Sequence, residues 1–116
     1  MSYQIKTCNG QAYIDASLFI ARESDALELV AVCGEHRTHR LLLHAEQLSD
    51  EFFDLRSGLA GAVLQKFVNY AVRVAAVIPP ERANQGRFGE MVLEANRGRH
   101  FRVFAREDEA ARWLVS

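Results

Sequence analysis

Residues 41–70, LLLHAEQLSDEFFDLRSGLAGAVLQKFVNY, constrain the fold more tightly than any other part of the chain. A short apolar run, Leu41-Leu42-Leu43-His44, leads into a polar loop and then into a long helix opening at Ser57-Gly58. Residues 71–78 follow directly, almost unbroken apolar apart from Arg73, and Pro79-Pro80 ends them sharply. An apolar run of strand length indicates an interior strand covered on both faces. Two such strands joined through a helix require a crossover, and crossovers of this kind are right-handed. A loop between the first strand and its helix is then presented at the end of a sheet.

The remaining segments fit the same plan. Alternation over 3–7, the Asn9-Gly10 pair and a return strand over 11–15 predict an opening hairpin, because Asn and Gly tolerate the positive φ of a type I′ turn. Ser24 is placed to cap a helix over 25–35, with Ala26, Leu27, Leu29, Val30 and Cys33 at helical spacing and Gly34 as terminator. Residues 40–44 form a short strand, and Ser49 starts a brief helical turn over 50–53. The main second helix runs from near Ser57 to about Tyr70, with Leu59, Val63, Leu64, Phe67 and Val68 on one face. Residues 81–87 read as a loop, 88–95 as a helix stopped by Gly98, 101–105 as a strand, and 107–115 as a final helix with acids in its first turn.

The order is therefore ββαβαβαβα. It predicts a single α/β domain over 1–116, with a mostly parallel or mixed five-stranded sheet, an N-terminal β-hairpin and about four helices. Ligands on such sheets sit beyond the carboxyl ends of the strands, which here means the loops 45–56, 79–87 and 106–107.

Composition narrows the function. A chain of 116 residues, about half of them hydrophobic, supports one domain with one core. A net charge of −1 supplies no cationic field for nucleic acid or an anionic membrane, so neither is an expected partner. No run approaches the roughly 20 apolar residues of a membrane span. Residues 1–6 lack the basic-then-apolar layout of a secretory signal, and the expected location is cytoplasmic. Cys8 and Cys33 are expected to stay reduced there.

Few residues form a chemical set. Ser57, at a helix start, is expected to cap exposed N–H groups; the functional alternative is phosphorylation, favoured by the helix dipole and by Arg56. No general base is identifiable for a serine nucleophile. Gly58 and Gly61 leave room for an anion at the helix start but lack the spacing of a phosphate-binding loop. Asp50, Glu51 and Asp54 flank Phe52 and Phe53; paired carboxylates suit a metal or acid–base catalysis, but the set reads better as solvent-facing partners of core rings, or as a docking patch if a ring is exposed. Cys33, His36, His39 and His44 match no zinc spacing, so no metal and no cofactor is expected. Asn96-Arg97-Gly98-Arg99-His100, with Arg102 and Arg106, is the one local basic cluster.

Residues 52–70, FFDLRSGLAGAVLQKFVNY, and 94–98, EANRG, resemble a bacterial family of domains of unknown function, family forty-one eighty, over nearly the whole chain. Pro79 and Pro80 stand where that family shows an acid and an aromatic. Residues 41–67 are also similar to the strand–loop–helix of anti-sigma-factor antagonists, the STAS domains. Those carry an Asp-Ser-Ser-Gly-Leu loop whose first serine is phosphorylated. Aligned on Ser57-Gly58-Leu59, that position is Arg56 and the acid position is Leu55, with Asp54 one residue early. The resemblance implies a STAS-like fold and a docking surface without the phospho-switch.

The expected function is a non-enzymatic regulatory or protein-interaction module in the bacterial cytoplasm. It would present the 45–58 loop and the following helix start to another protein through Asp54, Arg56 and Ser57, with Gly58 at the helix start and Phe53 as the apolar anchor if exposed. The alternative is a small-molecule or anion-binding domain, with or without catalysis, using a hollow between the 45–58 and 79–87 loops. Asn96 and Arg97 would contribute if the third helix ends nearby. A homodimer through an edge strand or helix face is compatible with either.

Overall fold

A computed structural model describes residues 2–116. The chain opens with β1 (Tyr3–Cys8) and β2 (Gln11–Ala16), an antiparallel hairpin turned by Asn9 and Gly10 at φ 51° and 79°, as the sequence predicts. Then come α1 (Glu23–Glu35), β3 (Arg40–His44), a one-turn α2 (Asp50–Phe53), α3 (Leu59–Asn69), β4 (Arg73–Val77), a one-turn α4 (Pro80–Ala83), α5 (Gly86–Ala95), β5 (Phe101–Phe104) and α6 (Glu107–Leu114). The five strands form one mixed sheet in the order β1-β2-β3-β4-β5, parallel from β2 onward. The predicted α/β class, hairpin and strand count are all present, and four helices have eight residues or more.

Strand order fixes how the layers are filled. Because each strand is added on the same side of its predecessor, crossovers of one hand put their helices on one face. Ile14, Leu41, Leu43, Val74, Ala76 and Phe101 line that face, and they pack against Leu29 and Cys33 of α1, Val63 and Phe67 of α3, and Phe88 and Val92 of α5. The opposite face carries Tyr13, Leu42 and Ala75, covered by Ala110, Ala111 and Leu114 of α6 alone. Small residues on both sides let that helix lie close. Strand alternation sends Lys6, Asp15 and His44 to this second face as well, alongside Tyr13 and Leu42.

The stretch 81–87, expected as a loop, instead holds most of α4, whose first turn suits Pro80, and the start of α5, which opens at Gly86 and not at Phe88. Both ends of α1 differ from expectation as well. Ser24 lies inside α1, because the Asp25 carboxylate accepts the Ala21 and Arg22 N–H groups at 2.9 and 3.0 Å and starts the helix earlier. Its end is set by Arg37 at φ 55°, with Thr38 N–H reaching the Cys33 carbonyl at 3.0 Å, and Gly34 remains helical. No helix among the described residues is long and apolar enough to cross a membrane.

Candidate functional site

Beyond β3 the chain makes a 3-10 turn (Ala45–Gln47), the single turn of α2 and a second 3-10 turn (Leu55–Ser57) before α3 begins. The second turn is tied internally. Asp54 Oδ1 accepts from the Arg56 backbone N–H at 3.1 Å and from Arg56 Nε at 3.3 Å. Ser57 Oγ donates to the Glu51 carbonyl at 2.6 Å and accepts from Leu59 N–H at 3.1 Å. Gly58 sits at φ 78°, where a side chain would strain the backbone. Phe52 is fully buried, and Phe53 is half-buried against Phe88 with ring centroids 4.8 Å apart. The Arg82 guanidinium, paired with Asp50 at 3.1 Å, lies 3.8 Å from the Phe53 centroid.

The facing wall is the start of α5. Together Phe53, Asp54, Leu55 and Arg56 on one side and Gln85, Gly86, Arg87 and Phe88 on the other bound a hollow of about 510 Å³. A second hollow of about 650 Å³ shares Leu55, Gly86 and Arg87 and continues to Glu90 and Met91. The two share a wall and make one open trough, lined by the apolar Phe53, Leu55, Phe88 and Met91 together with the charged Asp54, Arg56, Arg87 and Glu90. The Arg56 side chain is 84% exposed, and Arg87 is exposed.

Phe53, Asp54 and Arg56 thus line the trough, while Ser57 and Gly58 shape the turn beneath it. Asn96 and Arg97 do not join them. The third long helix starts at the trough instead of ending there, and ten residues at 1.5 Å each carry its far end about 15 Å away. At that end Asn96 Oδ1 accepts the Val103 N–H at 2.9 Å. Two arginines of the basic cluster are engaged internally: Arg102 Nε donates to the Gly98 carbonyl at 2.8 Å, and Arg106 pairs with Asp108 at 3.0 Å. Cys33 is buried, with its thiol pushed up to about 11 by burial, and the His36 ring bonds the Tyr3 hydroxyl at 2.8 Å.

One group escapes the sequence reading. Asp15 at the end of β2, His44 at the end of β3 and Glu107 at the start of α6 bring ligand atoms within 4.8 Å of one another. His44 Nε2 lies 2.7 Å from Asp15 Oδ1 and 3.9 Å from Glu107 Oε1. Lys6 Nζ sits 2.5 Å from Asp15 Oδ2 and 3.2 Å from Glu107 Oε2. The Asp15 carboxylate, with Glu107 behind it, raises the Lys6 ammonium above its ordinary value against the opposing effect of burial. Burial in turn raises the neighbouring Tyr13 hydroxyl. Only the 106–107 loop, expected at the ligand end of the sheet, points here from the sequence. Which strand pairs with which, and that α6 returns across this face, are tertiary facts.

A family model described as Domain of unknown function (DUF4180) matches residues 10–114. No curated protein and no solved structure matches the chain.

Proposed function

The chain belongs to the DUF4180 family, and from that premise we propose that it is a non-enzymatic binding module which takes a segment of another protein in the trough between residues 53–56 and the start of α5. The continuity of the two hollows over Leu55 carries this reading. An enclosed cavity suits a small molecule, which it can surround on most sides. A long open trough with Phe53, Leu55, Phe88 and Met91 on its floor suits an extended peptide chain, with Asp54, Arg56, Arg87 and Glu90 setting register at the rim. Phe53 contributes as part of a stacked floor under Arg82 and not as a free anchor. The likeness to anti-sigma-factor antagonists favours a regulatory partner in the bacterial cytoplasm, recognised without a phosphoserine at position 56.

A second occupant has one observation in its favour. Arg56 and Arg87 flank the uncapped first turn of α5, a setting that suits an anion.

The test is capture from the native cytoplasm with the tagged wild-type chain and with a Leu55→Glu, Arg87→Glu variant, its fold checked by circular dichroism. One protein recovered near one-to-one by the wild type and lost with the variant supports the module. Equal recovery by both, or none by either, sinks it. Shifts of the Gly86, Arg87 and Phe88 amides on adding inorganic phosphate would instead support the anion.

A further inference from the structure

On the face covered by α6, two carboxylates and an imidazole converge, Asp15 and His44 sheltered and Glu107 at the open rim. Asp15 is 8% exposed. A carboxylate there is unfavourable unless a cation compensates it, so the cluster is built around positive charge. The fold supplies one unit through Lys6, which reaches both Asp15 and Glu107. Lys6 stands on an edge strand with 35% of its side chain exposed, and its ammonium can therefore withdraw into water.

The three remaining donors fit a divalent ion. An imidazole nitrogen and two carboxylate oxygens are a donor set for zinc and its neighbours in the first transition row. Bonds of about 2.0–2.2 Å place tetrahedral ligand atoms about 3.3–3.6 Å apart. The present separations from His44 Nε2, 2.7 Å to Asp15 and 3.9 Å to Glu107, straddle that range, and all three ligand atoms lie within 4.8 Å of one another. All three ligands stand on rigid elements: two strand ends and the first turn of a helix. Beside them opens a hollow of about 310 Å³ lined by Asp15 and His44 with Gln4, Ser17, Glu46 and Gln47, which has room for water to complete the coordination. Glu46 Oε1 lies 3.9 Å from His44 Nδ1, on the side where an outer carboxylate would orient the ring.

We propose that Asp15, His44 and Glu107 bind a divalent transition-metal ion of the zinc class, in exchange for the tethered ammonium of Lys6. The site lies at the carboxyl ends of β2 and β3, on the sheet face opposite the trough, and it stands independently of the binding-module proposal. Lys6 acts as a competitor. Removing it vacates the cation position without touching a ligand.

Cobalt(II) is the probe, titrated into the chain without a histidine tag and followed by amide NMR and calorimetry. The expected result is one equivalent, with broadening centred on Asp15, His44 and Glu107. Lys6→Met should tighten binding about tenfold, while His44→Ala and Glu107→Gln should each weaken it at least tenfold. Glu107 is partly exposed, so its variant keeps the test valid should His44→Ala misfold, and the amide spectrum reports folding in every case. Broadening centred on Cys8, His36 or His39, or equal affinity for wild type and Glu107→Gln, or no binding at millimolar cobalt, overturns the proposal.

Discussion

Arg73 Nη1 donates to the Trp113 carbonyl at 2.9 Å and lies 3.4 and 3.2 Å from the Leu114 and Ser116 carbonyls, while the guanidinium sits 4.8 Å from the Trp113 ring centroid. The last carbonyls of a helix have no partner within it and carry the negative end of its dipole. A cation from the start of β4 therefore fastens the far end of α6, the one helix on its face among the described residues, whose near end carries Glu107. The lone arginine in an apolar strand is explained by what crosses it.

Arg73→Met keeps the stem and removes the fork. Hydrogen bonds to a charged donor contribute about 1.5–3 kcal/mol when sheltered, and partial exposure reduces this to about 1–2 kcal/mol. Urea denaturation should show that loss, with a red shift of Trp113 emission as the helix end loosens. Arg73→Lys should recover only part, since an ammonium cannot fork to several carbonyls. Full recovery by lysine would mean that charge alone holds α6.

Two glycines should respond to alanine for opposite reasons. Gly58 has open space where a Cβ would stand but sits at φ 78°, so Gly58→Ala should cost about 1–2 kcal/mol through the backbone alone. Gly89 has ordinary helical geometry, yet a Cβ there would stand 2.7 Å from the Asn84 carbonyl carbon and 2.8 Å from its oxygen. Gly89→Ala should therefore destabilise by about 1–3 kcal/mol although alanine is the better helix former. A rise in melting temperature for Gly89→Ala would contradict the close packing of α4 on α5.

Local signals are legible where they are also decisive. Asn9-Gly10 specifies the hairpin, and the apolar run over 71–78 specifies an interior strand, because each depends on backbone preference or burial alone. Helix ends are less legible: Asp25 reaches back four residues to Ala21, and Arg37 takes the left-handed conformation that a glycine such as Gly34 adopts more readily. One wall of the trough, residues 53–56, is visible in the sequence. The other is named as the 79–87 loop, but that it turns helical at Gly86 and packs Phe88 on Phe53 is not legible there. Asp15, His44 and Glu107 look unrelated until β2 pairs with β3 and α6 folds back.

Ser57 donates to the Glu51 carbonyl as well as accepting from Leu59, so its role exceeds that of a helix cap. Ser57→Ala should lose about 1 kcal/mol. Ser57→Asp should be no better despite the helix dipole, because a carboxylate cannot donate and would face the Glu51 carbonyl. Thermal melts of the two variants decide the matter. A stabilised Ser57→Asp would show that the dipole outweighs the lost donor and would reopen phosphorylation at this position.

Cys33 supplies the alkaline prediction. Burial pushes its thiol from an ordinary 9.0 to about 11, so at pH 8 the folded chain holds on the order of one thiolate per thousand molecules at this position. An aromatic disulfide reagent should titrate half-buried Cys8 in the native state and Cys33 only after denaturation. The same shift sets a sign for stability. The folded state holds the proton more tightly than the unfolded one, so its contribution is complete below pH 9 and is lost as pH rises through about 11. Two pKa units correspond to about 2–3 kcal/mol. Lys6, raised chiefly by Asp15, and Tyr13, raised chiefly by burial, extend the decline above their ordinary values of 10.5 and 10.0. Cys33→Ala should lower stability at neutral pH through lost packing, yet flatten the fall between pH 9 and 11. An unchanged slope in that window would assign the alkaline transition to Lys6 and Tyr13 alone.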